Sequence, residues 1–164
     1  MHIILLLLSL NLATFGQSIE NGWKGIRPLQ TNKTTVDRIL GTPEIEDDGY
    51  HGYKTAEAFI RVNYSSSPCE SNPAGRGKYA IPTNTVLDYD VILNKEVRLS
   101  EFRFNRQKYR RIADGDVINF VYYYDEEDGI MLTARIQEET EYVRKIDFRP
   151  ASSEIEKYKC KFIK

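Results

Sequence analysis

Period-two alternation recurs along this chain and limits its fold more than any other feature. In "EAFIRVNY" (57–64), Ile60, Val62 and Tyr64 share one face of an extended strand, and Arg61 and Asn63 take the other. In "TVLDYDVIL" (85–93), Leu87, Tyr89, Val91 and Leu93 oppose Asp88 and Asp90. "DVINFVYYYDEEDGIMLTARI" has the pattern of a hairpin, because Asp128-Gly129 supplies positive φ between alternating arms. "EYVRKIDF" (141–148) is a further strand, stopped by Pro150. Strands with one apolar and one polar face belong to an antiparallel sheet half open to water.

Such a sheet needs a lid. Asn32 is a good N-cap for a short helix. Val36, Ile39 and Leu40 give it one apolar face, with Asp37 and Arg38 on the other. Gly41 fits the left-handed C′ position, and Pro43 prevents continuation. A helix this short does not stand alone, so it leans on the sheet, with Trp23 and Leu29 packed on it. "EFRFNRQKYRRIAD" (101–114) is expected to hold a second short helix, with Tyr109 and Ile112 on one side. The tail after Pro150 is expected to run back along the sheet. Between the first two strands, residues 65–84 are Ser, Pro and Gly punctuation, a long loop. The expected fold is α+β: an antiparallel sheet with short helices packed on one face. The chain divides into two loosely similar helix-sheet halves, about 19–95 and 96–164, packed as one domain over 17–164.

The N-terminus sets the compartment. "HIILLLLSLNLATF" is an uncharged apolar run, followed by small polar residues. It is shorter than the about 20 residues of a transmembrane helix and has the length of a signal-peptide core. Thr14 and Gly16 suit the −3 and −1 positions, so residues 1–16 form the expected leader and cleavage falls near Gln17. Neither Lys nor Arg precedes the run, and an uncleaved anchor or a buried first helix is the alternative. Export makes the two cysteines, Cys69 and Cys160, a candidate pair. A bridge closing so long a loop contributes about 4 kcal/mol in the chain-entropy model. Two free thiols are the alternative.

The formal net charge of −1 excludes nucleic acid as a bulk electrostatic partner and gives no polybasic membrane anchor. Candidate chemistry is sparse. His51 lies in the Gly- and Asp-rich "DDGYHGYK", which has the composition of an exposed loop. Paired with Cys69 it would be a base beside a nucleophile, a pairing that a disulfide removes. The acidic runs 44–49 and 125–129 lack the ligand spacing of a calcium loop. Arg106, Arg110 and Arg111 cluster if their segment is helical, as an acidic-partner dock or a solvated face. Asn32 and Asn63 fit the N-glycosylation pattern, but Asn32 is engaged as the helix cap. "YYY" puts Tyr122 and Tyr124 on one strand face and Tyr123 on the other. One or more of these rings is a candidate partner surface, the alternative being cross-strand aromatic packing.

"GIRPLQTNKTTVDRILGTPE", "FIRVNYSSSPCE" and "TVLDYDVIL" resemble a group of uncharacterised exported bacterial proteins. The shared features are a Trp-Gly-Ile-x-Pro-Leu opening, a Val-x-x-x-Leu-Gly-x-Pro helix stop and a Tyr-Ser-x-x-x-Cys loop. "EEDGIMLTARI", "IDFRPAS" and the terminal "YKC" are similar to that group's second half. The resemblance touches Trp23, Gly25, Ile26, Pro28, Leu29, Val36, Leu40, Gly41, Pro43, Tyr64, Ser65, Cys69, Gly129 and Cys160. It departs at Thr35, where an acidic residue is expected. More loosely, a helix ending in Leu-Gly-x-Pro before an antiparallel sheet resembles small outer-membrane assembly lipoproteins and the β-lactamase inhibitor protein. That resemblance implies a binding module.

The expected function is therefore a non-catalytic protein-binding or envelope-associated module, periplasmic or extracellular. It would have no cofactor or metal and no transmembrane span after cleavage, and its partner would be another envelope or extracellular protein. A small enzyme using Cys69 with His51, or an envelope structural protein, are the alternatives. Intact mass of the exported protein, alkylated with and without reduction, checks the first steps. The expected product begins at Gln17 with both cysteines blocked, and two free thiols would undo the bridge.

Overall fold

The alternating stretches form one antiparallel sheet. The computed structural model describes residues 19–47, 50–69, 78–113 and 119–161; the expected leader 1–16 and its cleavage point near Gln17 lie outside them. The strands are β1 (Ile45–Glu46), β2 (His51–Lys54), β3 (Ala58–Tyr64), β4 (Val86–Arg98), β5 (Arg110–Ala113), β6 (Phe120–Asp125), β7 (Ile130–Gln137) and β8 (Thr140–Phe148). Their order is β1-β2-β3-β4-β8-β7-β6-β5, two four-stranded meanders joined edge to edge by the long strands β4 and β8. Two short helices, α1 (Lys33–Leu40) and α2 (Ser152–Tyr158), and several single 3-10 turns complete an α+β fold that is mostly sheet.

One face of the sheet is the core. Ile60, Val62, Val91, Val121, Leu132, Ala134, Val143 and Ile146 are wholly buried there. Ile19, Trp23 and Ile26 of the N-terminal segment, Val36 of α1, and Leu99, Phe102 and Tyr109 of the β4–β5 connection belong to the same cluster. A bulge between β3 and β4 sets Asn63 opposite Asp88 but Tyr64 opposite Val86, leaving Leu87 as the extra residue. Val86 thereby joins the main core, while Leu87 joins Leu29, Tyr79 and Ile81 in a second cluster under Ile155 and Tyr158 of α2.

Helix α1 has the expected cap, with the Asn32 side chain accepting from the Thr35 N–H, and Gly41 takes positive φ. Its seated face differs from expectation. Ile39 is 36 % exposed, whereas Asp37 points to the sheet and accepts a 2.8 Å hydrogen bond from the Tyr53 hydroxyl. Tyr53 is buried on β2, and its hydroxyl needs a partner, which turns Asp37 inward at the expense of Ile39. Leu29, expected on α1, sits instead in the second cluster. The expected second helix is absent as well. Leu99–Glu101 and Arg106–Lys108 are 3-10 turns, and Arg110–Ala113 is edge strand, with Ile112 on its exposed surface. The ladder to β6 gives those backbone groups partners that an isolated turn of helix lacks. The tail, expected to run back along the sheet, forms α2 before reaching Cys160.

The N-terminal segment is pinned by one hydroxyl. Tyr89 of β4 accepts from the Trp23 N–H at 2.8 Å and donates to the Ile26 carbonyl at 2.8 Å, all three groups buried. Its ring stacks on Phe148 of β8 at 4.6 Å, across the seam between the meanders. Tyr89→Phe keeps the ring but strands a buried N–H and a buried C=O. We expect a loss of about 2–4 kcal/mol, read as a lower urea midpoint with an unchanged slope.

Candidate functional site

The second face of the sheet carries no packed helix among the described residues, and the polar halves of the alternating strands line it. Cross-strand register sets them in rows. One row runs Arg61, Asp90, Asp147, Met131, Tyr124, Arg110 from β3 to β5. The next runs Phe59, Ile92, Lys145, Thr133, Tyr122, Ile112. Apolar and aromatic side chains therefore flank a charged centre. Arg61 reaches both oxygens of Asp90 through Nε, at 3.2 and 3.1 Å. Lys145 Nζ donates to Asp147 Oδ1 at 2.6 Å. Asn63 donates to Asp88 beside them, so its amide is in use within the sheet.

This centre holds two carboxylates in close apposition. Asp90 and Asp147 are directly opposite on adjacent strands, and like charges opposite each other destabilise a sheet. Both side chains are only 14 % exposed, and Asp147 Oδ2 is buried without a hydrogen bond. Arg61 and Lys145 each pair with one of these two carboxylates, and Asp147 Oδ2 is the oxygen left over. Burial raises the Asp90 pKa above the ordinary aspartate value; Asp147 adds to the rise, and Arg61 and Lys145 oppose it.

The tyrosine triplet divides as its alternation requires. Tyr122 and Tyr124 are half-buried on the open face. Tyr123 is 1 % exposed on the covered face, so it offers no surface to a partner. Its hydroxyl donates to Glu141 at 2.6 Å and accepts from Arg106 at 2.7 Å.

The other candidates are dispersed. Cys69 is bonded to Cys160, which clips the 65–84 loop to the chain end. Backbone bonds from Cys69 N–H to Tyr79 C=O and from Cys160 N–H to Lys78 C=O hold the two segments together. With its sulfur bonded, Cys69 has no thiolate, and the pairing with His51 loses its nucleophile. His51 lies in strand β2, opposite Val62, rather than in a loop, because its backbone is taken into the ladder with β3. Its ring meets Tyr64 edge-on at 5.0 Å, with Nδ1 3.8 Å from Glu46. The three arginines do not cluster: Arg106 and Arg111 converge on Glu141, while Arg110 points to the open face. In the acidic hairpin tip, Asp125 is buried and its Oδ1 accepts from the N–H groups of Glu127 and Asp128. Among the described residues no group of three or more His, Cys, Asp and Glu is arranged to hold a metal ion, and no helix is long and apolar enough to cross a membrane.

The open face thus sets aromatic flanks around desolvated charges. No family model, curated protein or solved structure matches this chain at a significant level. Alternation alone had put Arg61, Asn63, Asp88 and Asp90 on the polar face. That Asp90 meets Asp147 from a strand 57 residues away required the β4–β8 register.

The raised Asp90 pKa gives a measurable sign. Folded Asp90 holds its proton more tightly than the unfolded chain, so its stabilising contribution is full below the unfolded pKa and is lost as pH rises through the folded value. Carboxyl ¹³C NMR titration is expected to place Asp90 above an ordinary aspartate. Asp147→Asn lowers that value and Arg61→Gln raises it; an Asp90 unmoved by both would show that the two carboxylates and the arginine do not interact.

Proposed function

We propose that this chain is an exported, non-catalytic protein-binding module that docks its partner on the open face of the sheet. The observation that carries this reading is the pairing of a face with no packed helix among the described residues with desolvated charges between aromatic flanks. Interfaces favour aromatic residues, Met and Arg at their centres, and Tyr122, Tyr124, Phe59, Met131 and Arg61 supply these on one surface. Tyrosines contribute large apolar area with a polar tip at little entropic cost. The unpaired Asp147 Oδ2 at the centre is complementary to a partner that presents a basic side chain there.

Export is supported by three features together: the apolar leader, the Cys69–Cys160 bridge and the resemblance to exported bacterial proteins. A disulfide of this kind persists in an oxidising compartment and is reduced in the cytosol. The partner is then another envelope or extracellular protein.

Site-specific photo-crosslinking tests the reading. Benzoylphenylalanine at Tyr122 or Tyr124 is expected to give one discrete adduct with an exported protein, and the same probe at exposed Arg103 on the covered side is not. Adduct formation should fall when Asp147 is replaced by Lys. No adduct from either tyrosine position, or equal labelling from Arg103, would overturn it; an adduct with a second copy of the chain would replace it with self-association.

A further inference from the structure

The covered side holds a separate feature. The β4–β5 connection and the tip of the β7–β8 hairpin border an open cleft of about 540 Å³, a volume in the range of small-ligand sites. Leu99, Phe102 and Phe104 supply apolar lining, while Arg106, Glu139 and Glu141 supply its charged groups. The aromatic part is held in place: Phe104 packs edge-on against Tyr109 at 4.9 Å and against Tyr123 at 6.2 Å.

The charged groups are unequal. Glu141 is fully engaged, accepting from Tyr123 and Arg106 on Oε2 and from Arg111 on Oε1. Arg106 lies 5.3 Å from the centre of the Tyr123 ring and donates to its hydroxyl. Glu139 is different: it makes no hydrogen bond or ion pair among the described residues. It sits with Glu138 in the two-residue turn between Gln137 and Thr140, both at positive φ, 47° and 61°. Asn-Gly is the residue pair that such a turn favours. Two glutamates stand there instead, and of these Glu139 lines the cleft. Arg106 and Arg111 both pair with Glu141, so Glu139 places a carboxylate without a cation partner among the described residues beside an apolar, aromatic wall.

We propose that this cleft binds an organic cation with an apolar or aromatic body. The ammonium or guanidinium group would pair with Glu139, and the body would lie on Leu99, Phe102 and Phe104, where the ring of Phe104 also attracts a cation. The site is distinct from the open face, and either assignment stands without the other. Such a cation is a free amine or the Lys or Arg side chain of a protein, and the two are separable by experiment.

The test is an amide ¹H–¹⁵N NMR titration of the mature chain with three probes. They are 2-phenylethylammonium, its neutral counterpart 2-phenylethanol, and an acetyl-Phe-Arg amide. Saturable shifts at Phe104, Thr140 and Glu139 are expected with 2-phenylethylammonium, at a Kd of about millimolar, with the alcohol weaker by roughly tenfold. Glu139→Gln, which keeps the turn, is expected to weaken the amine by about tenfold, and Glu138→Gln to leave it within about twofold. Tighter binding of the blocked dipeptide assigns the site to a protein side chain; weaker binding assigns it to a free amine. The proposal is overturned if no probe gives saturable shifts below about 50 mM, if the alcohol binds as tightly as the amine, or if Glu139→Gln changes nothing.

Discussion

The hydroxyl of Tyr89 is the point on which the covered side of this protein depends. A sheet with one apolar face is not stable until that face is covered, and here the cover is irregular chain plus one short helix. Irregular chain brings backbone N–H and C=O groups with it, and each needs a partner when buried. Tyr89 supplies an acceptor for Trp23 and a donor for Ile26 from a single oxygen, near the start of the long strand β4. Burial raises the pKa of that hydroxyl well beyond the ordinary tyrosine range, so it keeps the proton that it donates. With the N-terminal segment fixed, Ile19, Trp23 and Ile26 close over the seam where β4 meets β8.

A similar device recurs at α1. The hydroxyl of Tyr53 donates to Asp37 and pairs with the hydroxyl of Tyr64 at 2.9 Å, and Lys33 donates to Asp37 from the same helix. Burial, then the bonds to Tyr64 and Asp37, hold Tyr53 in its protonated form. At the far end Tyr123 plays the same part with Arg106 and Glu141. Three buried tyrosines thus tie connecting segments to the sheet by their hydroxyl tips, which accounts for a use of the tyrosine-rich composition that surface recognition alone does not explain. On the open face the charges pair across neighbouring strands instead, with Asp147 Oδ2 left without a hydrogen bond.

Much of the sheet was legible. The alternation in 57–64, 85–93, the 116–136 hairpin and 141–148 corresponds to β3, β4, β6–β7 and β8, although residues 116–118 lie outside the described ones. Asn32, Gly41 and Gly129 have the local roles their residue types imply: a side-chain cap and two positive-φ positions. What failed were segments where helical and extended periods compete over a few residues. In "EFRFNRQKYRRIAD", Tyr109 and Ile112 have the spacing of a helix face, yet Arg110–Ala113 was drawn into the ladder with β6. Ile39 has the right spacing for the core face of α1 and was turned out, because the hydrogen bond from Tyr53 to Asp37 sets the rotation of the helix. His51 was hidden in a Gly-rich stretch whose strand pairing with β3 nothing local signals.

The amino-acid sequence by itself determined the period of the long strands, the apolar and polar faces of their alternating residues and the turn at Gly129. These follow from the chirality and spacing of the chain within a few residues. Only the tertiary structure decided which strands are neighbours, and therefore that Arg61, Asp90, Asp147 and Met131 lie in one row, and that Glu139 overlooks Phe104 while Cys69 meets Cys160. The physical reason is range. Alternation and capping are fixed by local sterics and hydrogen bonds, whereas register and charge balance arise from partners tens of residues away, chosen by how well two whole surfaces bury each other.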